Sequence, residues 1–449
     1  MANGRDDTSG SRRRHSKHSV PNENRLAALG EAVDEQNGEK VRRRRHRSTG
    51  KKVAIGGLIF VLLIAGVVGG SYAYARWRFD QISRIQVAHE VKPISGQPFN
   101  ILMIGSDSRA GLTGLAAKQS GATSGSVSGQ RSDSVKIVHI DPVAGTISII
   151  SIPRDTMVTL LANQSLYGQF NRINVNFGVG PSLLAQTITA NFGITINQTI
   201  VVSFEGLINA ADAIGGVYLD FRYPSWDPYS GLRILHPGCQ LVTGFQALAL
   251  SRSRHFYYNV DHAKVFPTVD SSPDALYDAG WMYDPTSDFG RIDRQDAFLR
   301  AMIDAAKRLY NPLTINQFLS KLPQGISLDQ NFSLNELIGL AVRFHSINSN
   351  SIPTWTLPTV AVNNTALGDV LYVEQPQAQQ MLVDIFGSQL KAPTDPPPNT
   401  SNEEQQPPTV TPAASTTKVT TSSGKSSTTT TTTNPTLAVP SYDPVPCTP

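Results

Sequence analysis

Cysteine is nearly absent: the 449 residues contain only Cys239 and Cys447. Two cysteines so far apart make neither a disulfide framework nor a thiolate metal site, although a single bridge tethering the end of the chain stays open outside the cytoplasm. Histidine supplies no metal constellation either. His139, His236 and His255 share no ligand spacing, and each reads as structural. No Ser-His-Asp or Cys-His arrangement stands out, which argues against a covalent acyl mechanism. Charge is sparse, at 16% of residues, and unevenly placed. Residues 1–52 hold fourteen Lys and Arg against seven Asp and Glu, which leaves 25 against 28 for the rest of the chain. The body therefore lacks the bulk basic charge of a nucleic-acid-binding domain.

What stands out first is one long uncharged run, Val53 to Tyr74, of 22 residues. As a helix it spans roughly 33 Å, the hydrocarbon thickness of a bilayer. Arg42 to Arg45, Lys51 and Lys52 precede it. The excess of positive charge puts the N-terminus in the cytoplasm and everything beyond residue 75 outside. Tyr72, Tyr74 and Trp77 supply interfacial aromatics. The run is long and begins late, unlike a cleaved signal peptide. The organisation that follows is a disordered basic cytoplasmic tail (1–52), a transmembrane helix (53–75), a short stalk (76–98), an extracytoplasmic domain (99–392) and a disordered Thr/Ser/Pro-rich tail (393–449). That last segment includes six consecutive Thr at 428–433. It cannot bury a core.

Within 99–392 strands and helices alternate. Phe99 to Ile104 reads as a buried strand, and residues 110–130 as a Gly- and Ser-rich flexible loop. Residues 181–192, 205–214, 244–250, 291–309, 314–321, 334–344 and 376–386 read as helices. Residues 199–204, 217–221 and 354–360 read as strands, and 256–288 as a long surface loop. The pattern predicts a three-layer α/β/α sandwich with a mixed central sheet, preceded by one transmembrane helix.

The stretch from Arg131 to Asp155 organises this domain. Two β-branched runs, Ser134 to Asp141 and Thr146 to Ile152, flank a turn with Pro142 and Gly145, which is a hairpin signal. Arg131 and Asp133 enter the first strand, and Arg154 and Asp155 leave the second, so these four charges should meet. Similar charges mark other element ends: Asp107 with Arg109, Arg252 with Arg254, and Arg291 with Gln295. The first two of these pairs are spaced i, i+2 and would share a face in extended chain. Arg291 and Gln295 share a helix face in a first turn, where backbone N–H groups favour an anion. Few carboxylates with many guanidinium groups suit a pyrophosphate held by Arg forks, with Mg²⁺ on two Asp. Structural ion pairs at strand ends are the plain alternative.

These residues resemble the LytR-CpsA-Psr proteins of bacterial cell-wall assembly. The resemblance rests on FNILMIGSDSR, RSDSVKIVHIDPVAGTISIISIPRD, IGGVYLD, GCQLVTGFQALALSRSR and DFGRIDRQ, in that order, and with the membrane helix covers roughly residues 50–390. It implies a membrane-anchored phosphotransferase that moves a glycopolymer from a polyprenyl-pyrophosphate carrier to a muramic-acid hydroxyl of peptidoglycan. Asp107 and Asp133 would hold Mg²⁺, or Mn²⁺. Arg131, Arg154, Arg252, Arg254, Arg291 and Gln295 would grip the pyrophosphate. The acceptor's proton would pass to Asp133 or Asp155. The lipid would thread an apolar channel, with Phe177, Leu184, Phe204 and Leu207 as candidate walls; plain core is the equal alternative for each. Asp296 stands where the family commonly has a second Gln, which puts that contact in doubt, and a Thr-rich tail replaces the additional C-terminal domain common in actinobacterial relatives. A high-GC Gram-positive source is suggested, with arabinogalactan or a similar polysaccharide as the polymer. Two other readings stay open: a non-catalytic lipid-pyrophosphate scaffold, and a pyrophosphatase with water as acceptor.

Overall fold

The structure is a computed structural model that describes residues 23–88, 90–120, 131–268, 270–308, 312–392 and 442–448. The disorder expected for 1–22 and 393–441, and the flexible loop at 121–130, fall outside those residues. The chain divides into two units, Met1–Tyr74 and Ala75–Pro449. Helix α1 runs from Glu23 to Phe79. Residues 23–52, expected to lack structure, are therefore helical. Ala, Leu, Glu, Lys and Arg favour helix, and no proline occurs between Pro21 and Pro93. Within α1, Lys52–Phe79 is long and apolar enough to cross a bilayer.

The second unit is built on seven strands: β1 (Ser83–Ile85), β2 (Phe99–Ser106), β3 (Ser132–Asp141), β4 (Thr146–Ile152), β5 (Gln198–Val202), β6 (Ile326–Asp329) and β7 (Thr354–Thr356). Their spatial order is β1-β6-β5-β2-β3-β4-β7. The β1–β6, β5–β2 and β4–β7 pairs are parallel. The β6–β5, β2–β3 and β3–β4 pairs are antiparallel. The predicted hairpin forms, with Val135 opposite Ile152 and Ile140 opposite Ile147. Because β1 pairs with β6, the predicted stalk is partly an edge of the sheet. The last predicted strand is interrupted at Leu357 and Pro358, and Thr359–Thr365 pairs instead with Gly368–Val373.

The helices that matter are α2 (Pro181–Phe192), α3 (Phe204–Ala213), α4 (Gly244–Arg252), α5 (Asp288–Lys307), α6 (Pro312–Lys321), α7 (Leu334–Phe344) and α8 (Gln377–Phe386). Strand alternation sends Leu102, Ile104, Val135, Ile137 and Ile150 to one face, where they meet Leu184, Ile188 and Phe192 of α2 and Leu382 of α8. Ile101, Ile140, Ile147 and Ile149 face the other way, toward Leu319 of α6, Leu322 just after it and Phe344 of α7. This is the predicted three-layer mixed α/β architecture. A third core joins α3, α4 and α5 through Ala211, Leu250, Ala297 and Phe298.

Three further segments differ from expectation. Gly114–Ser120 is a short helix inside the expected loop. Residues 256–288 are not structureless: Tyr257–Asn259 and Trp281–Tyr283 join Ser225–Asp227 and Leu232–Ile234 in a four-stranded sheet. Strands of three residues are too short to display a period. The end of the Thr-rich tail is also ordered. Val445–Pro446 pairs with Val217–Phe221, Cys447 bonds Cys239, and Tyr442 stacks on Tyr258 with 4.4 Å between ring centroids. Asp443 lies 2.7 Å from the fully buried Arg294, which also pairs with Asp284 at 2.8 Å. Averaged composition hides a terminal segment, 442–448, that holds Tyr, Asp, Val and Cys and only one Thr.

The disulfide closes a loop of 208 residues. Cys447→Ser should lower the stability of the full chain by about 2–5 kcal/mol in denaturant titration; no loss would mean that the docked end adds nothing to the fold. Burial, with Asp443 and Asp296 behind it, raises the Asp293 carboxyl to about 7. Burial also outweighs Arg294 and raises Asp443 to about 6. The folded chain thus keeps protons that the unfolded chain has lost, and this contribution to stability declines as pH rises through about 7. Between about pH 5 and pH 8, the melting temperature of Asp293→Asn should fall less than that of wild type; equal slopes would contradict a protonated Asp293.

Candidate functional site

The β2–β3 edge sets the geometry. Register shifts between Gly105 and Ser106, so Gly105 faces Ser134 whereas Ser106 faces Ser132. Such a bulge re-aims the side chains beyond it. Glycine suits the close approach, because a Cβ at Gly105 would lie 3.0 Å from that of Ser134. The Arg131 N–H donates to the Asp107 carboxylate at 2.8 Å, and the Asp107 N–H to the Arg131 carbonyl at 3.1 Å. Burial raises the Asp107 carboxyl above its usual range; the bond from Arg131 opposes this, and nearby Asp133 adds to it.

At the end of β4, the Thr156 N–H and hydroxyl both donate to the Pro153 carbonyl, at 3.1 and 2.7 Å. This closes a turn with Arg154 and Asp155 at its tip. The Arg154 Nη1 donates to Asp133 at 2.7 Å and its Nε to Asp155 at 3.2 Å. The expected meeting of hairpin-end charges thus holds for Asp133, Arg154 and Asp155. Arg131 is exposed and joins through its backbone.

Asp288, expected only to start a helix, is the hub of the cluster. Arg254 reaches it at 2.7 Å, Arg291 at 2.9 Å and Arg154 at 3.9 Å. Arg291 also donates to the Asp133 carbonyl at 2.9 Å. Burial works against the charge on Arg154, but Asp155, Asp288 and Asp133 outweigh it and raise its pKa. Arg291 goes the other way, down to about 10, because burial and neighbouring Arg254 and Arg154 outweigh Asp288 and Asp133. Burial, then Arg109, lowers Arg252. The Arg252 guanidinium lies 5.1 Å from the Phe204 ring. Arg172, a second residue not anticipated, lies 3.4 Å from Asp155. Seven arginines at 109, 131, 154, 172, 252, 254 and 291 thus surround four aspartates at 107, 133, 155 and 288. Arg109 Nε, Arg254 Nη2, Arg291 Nε and Gln295 Oε1 are buried and find no partner among the described residues.

This cluster closes one end of a cavity of about 530 Å³. Asp133, Arg154, Arg252, Arg254, Arg291 and Gln295 line it, together with an apolar body that includes Phe204, Leu207, Phe298 and Phe332. Phe204 and Leu207 are therefore walls, as expected. Phe177 and Leu184 are not: they are core on the opposite face of the sheet, under α2. Asp107, Arg131 and Asp155 do not line the cavity among the described residues: Asp155 is bonded to Arg154, which does, and Asp107 and Arg131 bond each other next to the lining residues Ser106 and Asp133. Arg252 and Arg254 do not lie in extended chain, because Arg252 ends α4, yet both reach the cavity. Gln295 faces it while donating to the Ser251 carbonyl at 2.7 Å.

Other residues change roles. Asp296 makes no contact with the arginine cluster: it is buried and accepts from the Lys136 ammonium at 2.6 Å, with Ser151 beside it. Lys136, on the cavity wall, carried no sequence signal beyond one charge inside an apolar strand. His139 is structural, bonded to Asn100 at 2.7 Å. His255, also read as structural, lines the cavity. The signal for Asp288 was present in the charged start of DFGRIDRQ.

Among proteins similar to this chain is the probable cell wall biosynthesis protein LcpB of Corynebacterium glutamicum, 31% identical over 48% of this chain and 50% of that protein. The chain thus spans about half of that relative. The polyisoprenyl-teichoic acid–peptidoglycan teichoic acid transferase TagV of Bacillus subtilis is 26% identical over 67% of this chain and 69% of TagV. Among solved structures, the LytR-Csp2A-Psr enzyme from Actinomyces oris shares the fold, with a TM-score of 0.50 at 19% identity, over 68% of this chain and 95% of that one. Residues 73–265 and 279–385 match the LytR_cpsA_psr family, and the chain belongs to it.

Proposed function

We propose that the protein is a phosphotransferase that moves a glycopolymer from a polyprenyl-pyrophosphate carrier to a hydroxyl of peptidoglycan. It would act outside the membrane, anchored by the apolar part of α1, Lys52–Phe79, with the basic residues before that part in the cytoplasm. One observation carries this reading: a single cavity ends in an arginine cluster at one pole and is apolar along its body. That pairing suits a ligand with an anionic head and a hydrocarbon tail. The names of TagV and LcpB agree with it. An arabinogalactan-like polymer remains part of the proposal.

The donor set fits Mg²⁺. Two carboxylates stand near enough for Asp133 to raise Asp107, and Mg²⁺ is commonly held by one or two carboxylates plus substrate phosphates. Held by Asp107 and Asp133, such an ion would neutralise charge on the phosphates. Arg154, Arg252, Arg254 and Arg291 would grip the pyrophosphate, with Gln295 beside them and Arg131 at the rim. The acceptor hydroxyl attacks the phosphorus that adjoins the sugar. The bond from that phosphorus to the bridging oxygen breaks, and polyprenyl phosphate leaves. The guanidinium groups take up the charge that develops on the bridging oxygen. The acceptor's proton would pass to Asp133, which lines the cavity, or to Asp155, which is held between Arg154 and Arg172; both carboxylates are paired with Arg154.

A binding-only scaffold is favoured by one observation, that Asp133 and Asp155 are both already paired with Arg154. Incubation of the detergent-solubilised full chain with a polyprenyl-pyrophosphate oligosaccharide, Mg²⁺ and peptidoglycan oligomers separates the readings by mass spectrometry. Arg154→Ala should lower transfer on the order of 100-fold. Asp133→Asn should abolish transfer while lipid binding persists. Binding without transfer in wild type would establish the scaffold, and release of polyprenyl phosphate into water without acceptor product would establish a pyrophosphatase.

A further inference from the structure

At the charged end of the cavity the wall is aromatic, and this feature is not used by the chemistry above. Tyr229 and His255 both line the cavity, with their ring centroids 4.6 Å apart. The ladder continues outward from His255 to Tyr283 at 6.5 Å and from Tyr283 to Tyr257 at 5.1 Å. It then reaches the buried Trp226 and Trp281. Buried aromatics need no explanation beyond packing, but the near end of this ladder is open. Tyr229 is 70% exposed and Tyr283 42% exposed.

The open rings are held in place from below. Asp227 is buried, at 1% exposure. Its Oδ1 accepts from the backbone N–H of Tyr229 at 2.8 Å and of Ser230 at 3.0 Å. Its Oδ2 accepts from the Ser253 hydroxyl at 2.7 Å and the His255 N–H at 3.0 Å. One buried carboxylate therefore fixes both ring-bearing loops. It also fixes the turn that carries Arg254, which lies between Ser253 and His255. The aromatic rings and the phosphate-gripping guanidinium are thus preorganised as one unit.

We propose that Tyr229, His255 and Tyr283 form a stacking subsite for pyranose rings of the donor glycan, next to the pyrophosphate. The assignment rests on the transferase reading above. A pyranose ring has a face of C–H groups that packs flat against an aromatic ring, while its hydroxyl groups stay in water. Exposed Tyr rings, apolar in body and polar at the tip, suit such a ligand. The sugar on the pyrophosphate must emerge where the guanidinium groups end. Tyr229 and His255 lie at that exit, continuous with the cavity wall.

The test uses the full chain in detergent and two probes: geranylgeranyl pyrophosphate, and the same lipid carrying a disaccharide. The readout is the ratio of their dissociation constants, which isolates the contribution of the sugar. Wild type should prefer the glycosylated probe, and the double variant Tyr229→Ala/Tyr283→Ala should lose about tenfold of that preference. Tyr229→Trp should keep it, which separates stacking from loss of fold. An undiminished preference in the double variant, or none in wild type, would overturn the proposal. So would a loss confined to binding of soluble peptidoglycan glycan chains, which would assign the rings to the acceptor. Arg254→Ala should weaken both probes together. If the sugar-free probe does not bind wild type at all, the transferase reading itself fails, independently of the rings.

Discussion

The site depends on an imbalance of charge held in partial burial. Guanidinium groups outnumber carboxylates around Asp288, and three of them lean on that one side chain. Withdrawing so many cations from water is costly unless anions compensate. The intrinsic carboxylates compensate only in part. The depressed Arg291 and the unpaired nitrogens of Arg109, Arg254 and Arg291 show the remainder. A ligand carrying several negative charges relieves this imbalance without rearranging the cluster, which is the condition for tight and preorganised binding. Asp288 keeps mutually repelling groups in place.

The sheet separates structural work from functional work. One face, covered by α2 and α8, is closed core. The other, under α3, α5 and α6, leaves room beneath the arginine cluster for an apolar ligand body. Single strands serve both sides through alternation: in β3, Val135 and Ile137 support the closed core while Lys136 faces the cavity and its buried Asp296. Charges collect where β2, β3 and β4 end, and the bulge at Gly105 and the tight turn after Pro153 aim them at one point.

Much of this was legible in the sequence. The hairpin, the main helices and the layered class follow from periodicity, and the charged positions stood out because each interrupts or ends an apolar run. Arg154, Arg252, Arg254, Arg291 and Gln295 were visible for that reason. Asp288 was hidden by its ordinary role at a helix start. Phe177 and Leu184 stood open between cavity wall and core, because apolar residues on either face of a sheet look alike until the helices are assigned to faces; both are core. A bridge from Cys239 to the end of the chain was left open by the two cysteines and forms, but the rest of the ordered C-terminal end was lost in a Thr-rich average, and its partner Arg294 lies far away in sequence. The aromatic ladder lies on strands too short to carry a period, so neither its order nor its proximity to the arginine cluster could be read in advance.

The most direct measurement is photocrosslinking with a polyprenyl pyrophosphate that bears a diazirine on its tail, followed by peptide mapping. Labelling is expected at Phe204, Leu207 and Phe298, suppressed by excess inorganic pyrophosphate and weakened in Arg254→Ala. Labelling under α2, around Phe177 and Leu184, or labelling indifferent to pyrophosphate and to Arg254, would contradict a site in which the arginine cluster holds the head and the cavity holds the tail.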